Sequence, residues 1–151
     1  MSDLLSRVVV PVASEADAEA TMDAVLPHVS EAGGSVVAVH VIEKAGGAPD
    51  KASVEQREAY AEDVFAVVTE ACEAAGVDCE TDRRFDTDVV DGIFAAARDH
   101  GASAVAFTPR ESNRWLDLLT GDNSRKLVKR ADLPVVVFPA DGPDGAEDAD
   151  E

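Results

Sequence analysis

The longest polar connection in the chain, Thr108 to Ser124 (TPRESNRWLDLLTGDNS), carries the side chains best suited to a charged ligand. Arg110 and Arg114 lie within it, and Arg125, Lys126, Lys129 and Arg130 follow. Six of the 13 basic residues therefore fall between positions 110 and 130. Cations at that density could hold an anion through charge-assisted hydrogen bonds. They could equally pair with the surrounding carboxylates, and the last four suit the C-terminal half of a helix. Pairing is the preferred reading, because acidic neighbours are plentiful.

Other chemistry-bearing residues form no recognisable constellation. His28, His40 and His100 are far apart, with no Ser or Cys partner in a nucleophile elbow. His40, on an apolar run, reads as a hydrogen-bonded core histidine, and His100 as part of a helix end. Cys72 and Cys79 read as two buried or half-buried thiols rather than a bridge. No CxxC or Cys/His set with zinc spacing occurs. Walker A and Gly-x-Gly-x-x-Gly patterns are missing after the first strand. Asp86 or Asp88 could imitate a phosphoacceptor, but Ala13 stands where such a domain needs an acid. Trp115, with Leu116, Leu118 and Leu119, reads as an anchor folding its loop onto the sheet; a partner surface is the sharper alternative.

These residues must be positioned by the elements between them. Arg7 to Val12 is a β-branched run fit for a strand covered on both faces. Ser14 reads as an N-cap, with Asp17 in the place of a capping-box acid. Ala18, Met22, Val25, Leu26 and Val29 then recur at helical spacing. Pro27 inside that pattern predicts a bend or an end to the helix. Ser35 to Ile42 is a second buried strand, and Glu43 to Asp50 a loop. A second helix is expected from about Ser53 to Ala75, stopped by Gly76. Val77 to Phe85 is a charged strand near a sheet edge. Thr87 or Asp88 caps a third helix that Gly101 closes. Ala102 to Thr108, a helix over Ser124 to Ala131, and a strand over Pro134 to Pro139 (PVVVFP) complete the order. Alternating strands and helices imply an α/β three-layer sandwich: an open, five-stranded, mostly parallel sheet with helices on both faces. One domain is expected over 1–140, and residues 141–151 read as a disordered acidic tail.

Charge narrows the function classes. The chain has 151 residues, with 13 basic against 31 acidic side chains and a net charge of −18. That balance excludes nucleic acid as a partner, since affinity for phosphate backbones comes from Lys and Arg, and disfavours anionic membranes. At 46% hydrophobic the chain holds a real core beneath its charge. Only Lys44, Lys51, Lys126 and Lys129 are lysines. Such a coat suits a salt-rich cytosol, where repulsion is screened; an ordinary acidic protein is the alternative. No signal-peptide pattern or membrane-length apolar run is present, so a soluble, cytoplasmic protein is expected.

The stretches VVVPV, HVIE, IFAAARDHGASAVAF and PVVVFP, in this order of elements, resemble the universal stress protein family over about residues 7 to 139. The resemblance implies the fold just described and an ATP site at the carboxyl end of the sheet. ATP-binding members carry a Gly-x-x-Gly-x9-Gly-Ser/Thr loop after the fourth strand, whose Cβ-free residues let backbone amides close on phosphates. Aligned on Gly121, the loop here has Thr108 and Glu111 at the other two glycines and Asp122 at the Ser/Thr position. Two of those replacements set carboxylates where phosphates would lie. Each costs on the order of 1–4 kcal/mol, against about 8 kcal/mol in a micromolar affinity. Ala13 replaces the aspartate that helps hold the nucleoside, whereas Val41, counterpart of a backbone adenine contact, is kept.

The expectation is a non-enzymatic regulatory or interaction protein with no catalytic residue, metal or cofactor, whose partners are unknown proteins and a second copy of itself. The resemblance places its dimer contact on the last strand: Pro134, Val135, Val136, Val137 and Phe138. The alternative is ATP or another adenine nucleotide bound through a divergent loop, with Ala13, Val41, Thr108, Arg110, Gly121 and Asn123 lining the site. An enzyme of nucleotide chemistry on the related fold lacks any base or metal constellation.

Overall fold

The computed structural model describes residues 4–43, 51–108, 129 and 131–138. Its elements are β1 (Arg7–Pro11), α1 (Glu15–Ala32), β2 (Ser35–Glu43), α2 (Lys51–Ala75), β3 (Asp78–Asp86), α3 (Val89–Asp99), β4 (Ala104–Phe107) and β5 (Val135–Val137). The strands form one sheet in the order β3-β2-β1-β4-β5. Every described pairing is parallel, from Val8 beside Val36 to Phe107 beside Val137. The expected α/β sandwich with a parallel sheet is what the chain adopts.

Strand alternation divides the core into two layers. Val8, Val10, Val36, Ala38 and Ala106 face α1 and α2, where Met22, Val25, Val64 and Val68 meet them. Val9, Val37, Val39, Val105 and Phe107 face α3, with Ile93, Phe94 and Ala97 above. Central strands covered on both sides must be apolar at successive positions, which is why β1 and β2 lack the polar alternation of β3. β3 lies at the sheet edge, as its charge predicts.

Two local expectations need correction. Of the bend or end expected at Pro27, the end does not occur: α1 continues to Ala32 and stops at Gly33 in the left-handed region (φ 70°). Pro27 and Asp23, four residues before it, both lie on the exposed face. The carbonyl freed by the missing N–H can therefore be solvated, and the buried stripe holds the helix together. Asp17 does not complete a capping box on Ser14. Ser14 Oγ accepts the Asp17 N–H at 3.0 Å, but the Asp17 carboxylate reaches one residue further back, to the Ala13 N–H. α2 starts at Lys51, ahead of the expected Ser53. Asp88 is the N-cap of α3. The expected loop over 44–50, most of the expected helix over 124–131, Trp115 and the tail over 141–151 lie outside the described residues.

Close backbone approach fixes the entry to β2. A Cβ at Gly34 would sit 1.9 Å from the Leu5 carbonyl oxygen, so only glycine fits where Ser35 N donates to Ser6 O.

Candidate functional site

The chain leaves β1 for β2 on one side of the sheet and crosses back to β4 on the other, so strand order reverses between β1 and β4. Ligands of open parallel sheets bind beyond the carboxyl ends at such a point. Ala13 follows β1 there, Thr108 follows β4, and Val41 lies near the end of neighbouring β2. These three expected site residues thus share one end of the sheet. Arg110, Gly121 and Asn123 lie outside the described residues, as do Glu111 and Asp122.

The β1–α1 turn is already occupied by an internal anion. The Ala13 N–H donates to Asp17 Oδ2 at 2.8 Å, and Thr21 Oγ1 donates to Asp17 Oδ1 at 3.4 Å. Asp17 is only 1% exposed. A buried carboxylate therefore accepts the backbone N–H of a residue whose own side chain is a methyl group. Beside it, His40 Nδ1 donates to the Val12 carbonyl at 2.9 Å. Its ring meets Tyr60 and Phe65 edge-on. His40 is a core histidine bonded to the end of β1, as its place on an apolar strand predicts.

Val41 is held by α3. A Cβ on Gly92 would come within 3.1 Å of both Val41 methyl groups, so the glycine lets the first turn of α3 rest on the end of β2. Thr108 is completely buried. Asp86 and Asp88 are committed to the start of α3: Asp86 Oδ1 accepts the Asp88 N–H at 3.1 Å, and Asp88 Oδ1 accepts the Asp91 N–H at 3.2 Å. A phosphoacceptor role gains nothing from that arrangement. Among the described residues no group of three His, Cys, Asp or Glu side chains could hold a metal.

A second polar assembly, on the α3 side of β3, escaped the sequence reading. His100 Nε2 lies 2.8 Å from Asp82 Oδ2, and Arg84 bridges Asp82 (2.9 Å) and Asp99 (2.8 Å). Arg7 donates to Glu80 at 3.1 Å and to the His100 carbonyl at 2.8 Å. Burial pushes the Asp82 carboxyl upward, but hydrogen bonds from Arg84 and His100 outweigh it and hold the group below its ordinary range. The Arg84 guanidinium, opposed by burial, is raised by Asp82 and Asp99. The alternate positions Glu80, Asp82 and Arg84 were the signal: spacing by two puts them on one face of the strand.

At the other sheet edge, Pro134 O accepts from Val105 N and Phe138 N donates to Phe107 O. Even-numbered residues of β5 thus bond to β4, while Val135 and Val137 turn their N–H and C=O groups outward. Val137 is 40% exposed, and Phe138 is buried against the His28 ring. The five expected interface residues therefore divide: Val135 and Val137 present the open edge, Pro134 is exposed at its start, and Val136 and Phe138 pack toward the α1/α2 core.

With that architecture in place, comparison with known proteins defines the class. A sequence model described as the universal stress protein family matches residues 5–139, and the chain belongs to that family. Its fold is similar to a universal stress protein-family structure from Burkholderia pseudomallei, at 23% identity and TM-score 0.64, covering 93% of this chain and 100% of that one. It is also similar to UspA from Lactobacillus plantarum, at 16% identity and TM-score 0.65, covering 91% and 99%. The Archaeoglobus fulgidus universal stress protein, solved in complex with dAMP, is similar at 18% identity and TM-score 0.61, covering 87% and 96%. No curated protein matches the chain.

Proposed function

We propose that this chain is a non-enzymatic regulatory or interaction protein of the universal stress type, a cytoplasmic homodimer with a degraded ATP loop. The observation that carries the reading is the Ala13–Asp17 contact. The amide at the end of β1 is spent on an internal carboxylate, and Ala13 has no side-chain acceptor for a nucleoside. The loop sequence agrees: Glu111 and Asp122 add two carboxylates where the family's ATP binders have glycine and Ser/Thr.

Titration calorimetry with ATP in high salt tests the reading, and no heat at millimolar nucleotide is expected. The double change Glu111→Gly with Asp122→Ser should then create measurable binding, because it restores amide access and removes both charges. Saturable binding by the unmodified chain would replace this reading with the second one, an adenine nucleotide held by a divergent loop. The dAMP complex of the Archaeoglobus fulgidus protein is what favours that alternative.

The dimer is assigned to the outward edge of β5, because an apolar edge strand with free backbone groups is a ready template for a two-fold mate. The acidic coat is assigned to life in a salt-rich cytosol, on the strength of a net charge of −18.

A further inference from the structure

Cys72 and Cys79, the chain's two cysteines, are both free thiols. The fold brings them face to face. Cys79 and Arg83 lie on the face of β3 covered by α2: Cys79 packs on the core cluster that contains Cys72, and Arg83 pairs with Glu58 and Glu62. Helix and strand run in opposite directions through a tight turn at Gly76 (φ 71°), closed by Val77 N donating to Cys72 O at 2.9 Å. Stepping back four strand residues from Arg83 to Cys79 covers about 13 Å. Advancing ten helical residues from Glu62 to Cys72 covers about 15 Å. Residues 72 and 79 therefore come level with each other across the α2–β3 interface, and Cys79 packs on the same core cluster as Cys72.

Their surroundings differ. Cys72 is fully buried. Cys79 is half-buried and lines a cleft of about 320 Å³ with Arg7, Ser35, Val36, Asp78 and Glu80, so a small oxidant can reach it from solvent. We propose that Cys79 and Cys72 form a peroxide-responsive thiol pair, Cys79 attacking and Cys72 resolving, that closes to an intramolecular disulfide. The hydrogen bond from the Cys72 thiol draws Cys79 below the ordinary thiol range, against burial and the Glu80 carboxylate. The same contact, with burial, pushes Cys72 far up. Exposure sets the order of the two thiols: Cys79, which lines the cleft, meets the oxidant first, and the fully buried Cys72 resolves.

In the first step the Cys79 thiolate attacks one oxygen of hydrogen peroxide. An S–O bond forms, the O–O bond breaks, and the departing hydroxide takes a proton from solvent to become water. Cys79 is then a sulfenic acid. In the second step the Cys72 sulfur attacks Cys79: the S–S bond forms, the S–O bond breaks, and the leaving hydroxide carries off the Cys72 proton as a second water. Two electrons pass from the two thiols to one peroxide. The bridge would pin the end of α2 to the edge strand β3, whether or not nucleotide binds at the opposite end of the sheet.

The test treats the reduced full chain with hydrogen peroxide, blocks remaining thiols with N-ethylmaleimide, and reads the intact mass and peptide map. Expected are loss of both alkylatable thiols, a mass decrease of about 2 Da, and a linked peptide joining residues 72 and 79 that dithiothreitol releases. In Cys72→Ala, Cys79 should stop at a sulfenic acid trapped by dimedone. In Cys79→Ser, Cys72 should stay reduced at the same dose. Two alkylated thiols after peroxide, a bridge between two chains, or Cys72 oxidising as fast without Cys79 would each overturn the proposal. The mass of the unmodified chain decides alone if a variant fails to fold.

Discussion

At the scale of single residues, two positions bear more weight than their types suggest. Gly34 lies so close to the Leu5 carbonyl that any Cβ must displace backbone. Gly34→Ala should cost about 2–4 kcal/mol in denaturant unfolding, whereas Gly46→Ala, in a loop-forming sequence, serves as the comparison expected near zero. Asp17 is the second. Its carboxylate takes the Ala13 N–H and the Thr21 hydroxyl, so Asp17→Ala leaves a donor at the end of β1 without its acceptor. A loss of about 1–3 kcal/mol is expected, and urea unfolding of the variant beside the parent measures it.

Asp82 gives a residue-scale prediction in pH. Its folded pKa is depressed by Arg84 and His100. Folding therefore gains from this ionised carboxylate above the unfolded value of about 3.9. The gain fades as pH falls below that value and through the lower folded one. Protonation of the acidic coat meanwhile relieves repulsion, so the parent's acid profile mixes both effects. Asp82→Asn separates them. The difference in melting temperature between parent and variant should be constant at neutral pH and shrink below about pH 4; a difference that does not change with acid would contradict the assignment.

At the scale of elements, the two sheet edges use opposite strategies. β3 arms its edge with charge on both faces, from Arg83 with its α2 glutamates to Arg84 with Asp82 and Asp99. Ion pairs of this kind add little stability when exposed, but they make the strand a poor template for a second chain. β5 has three valines and no charge between Val135 and Val137. Since the Val137 N–H points away from β4, Val137→Pro should spare the β4–β5 ladder and block only an incoming strand. Sedimentation at tens of micromolar protein should then change from dimer to monomer with little change in melting temperature; a parent that is already monomeric in high salt would remove the dimer.

At the scale of the whole molecule, charge dominates. With 31 acidic against 13 basic side chains on 151 residues, the excess negative charge repels itself wherever salt does not screen it. The screening length is about 3 Å in molar salt and about 10 Å at a tenth of that. The melting temperature should therefore fall as salt is removed, and a flat profile between molar and about 50 mM salt would reject adaptation to a salt-rich interior.

Element order from β1 to β4, the two-sided burial of β1 and β2, the edge place of β3, the Asp88 cap and the His40 and His100 roles were legible in the sequence, because each follows from neighbours within a few positions. Periodicity reports which face an element buries, and glycine, proline and capping residues report where it stops. A helix end at Pro27 does not occur, for the same reason: local rules weigh the lost donor but not the solvent beside it or the stripe that keeps the helix docked. What only the tertiary structure decided are contacts between segments far apart in the chain. Arg7 on Glu80, His100 on Asp82 and Cys72 against Cys79 depend on strand register and on the opposed run of α2 and β3. A one-residue slip of β3 would turn Cys79 to the other face of the sheet, and nothing in the spacing of the two cysteines alone fixes that register.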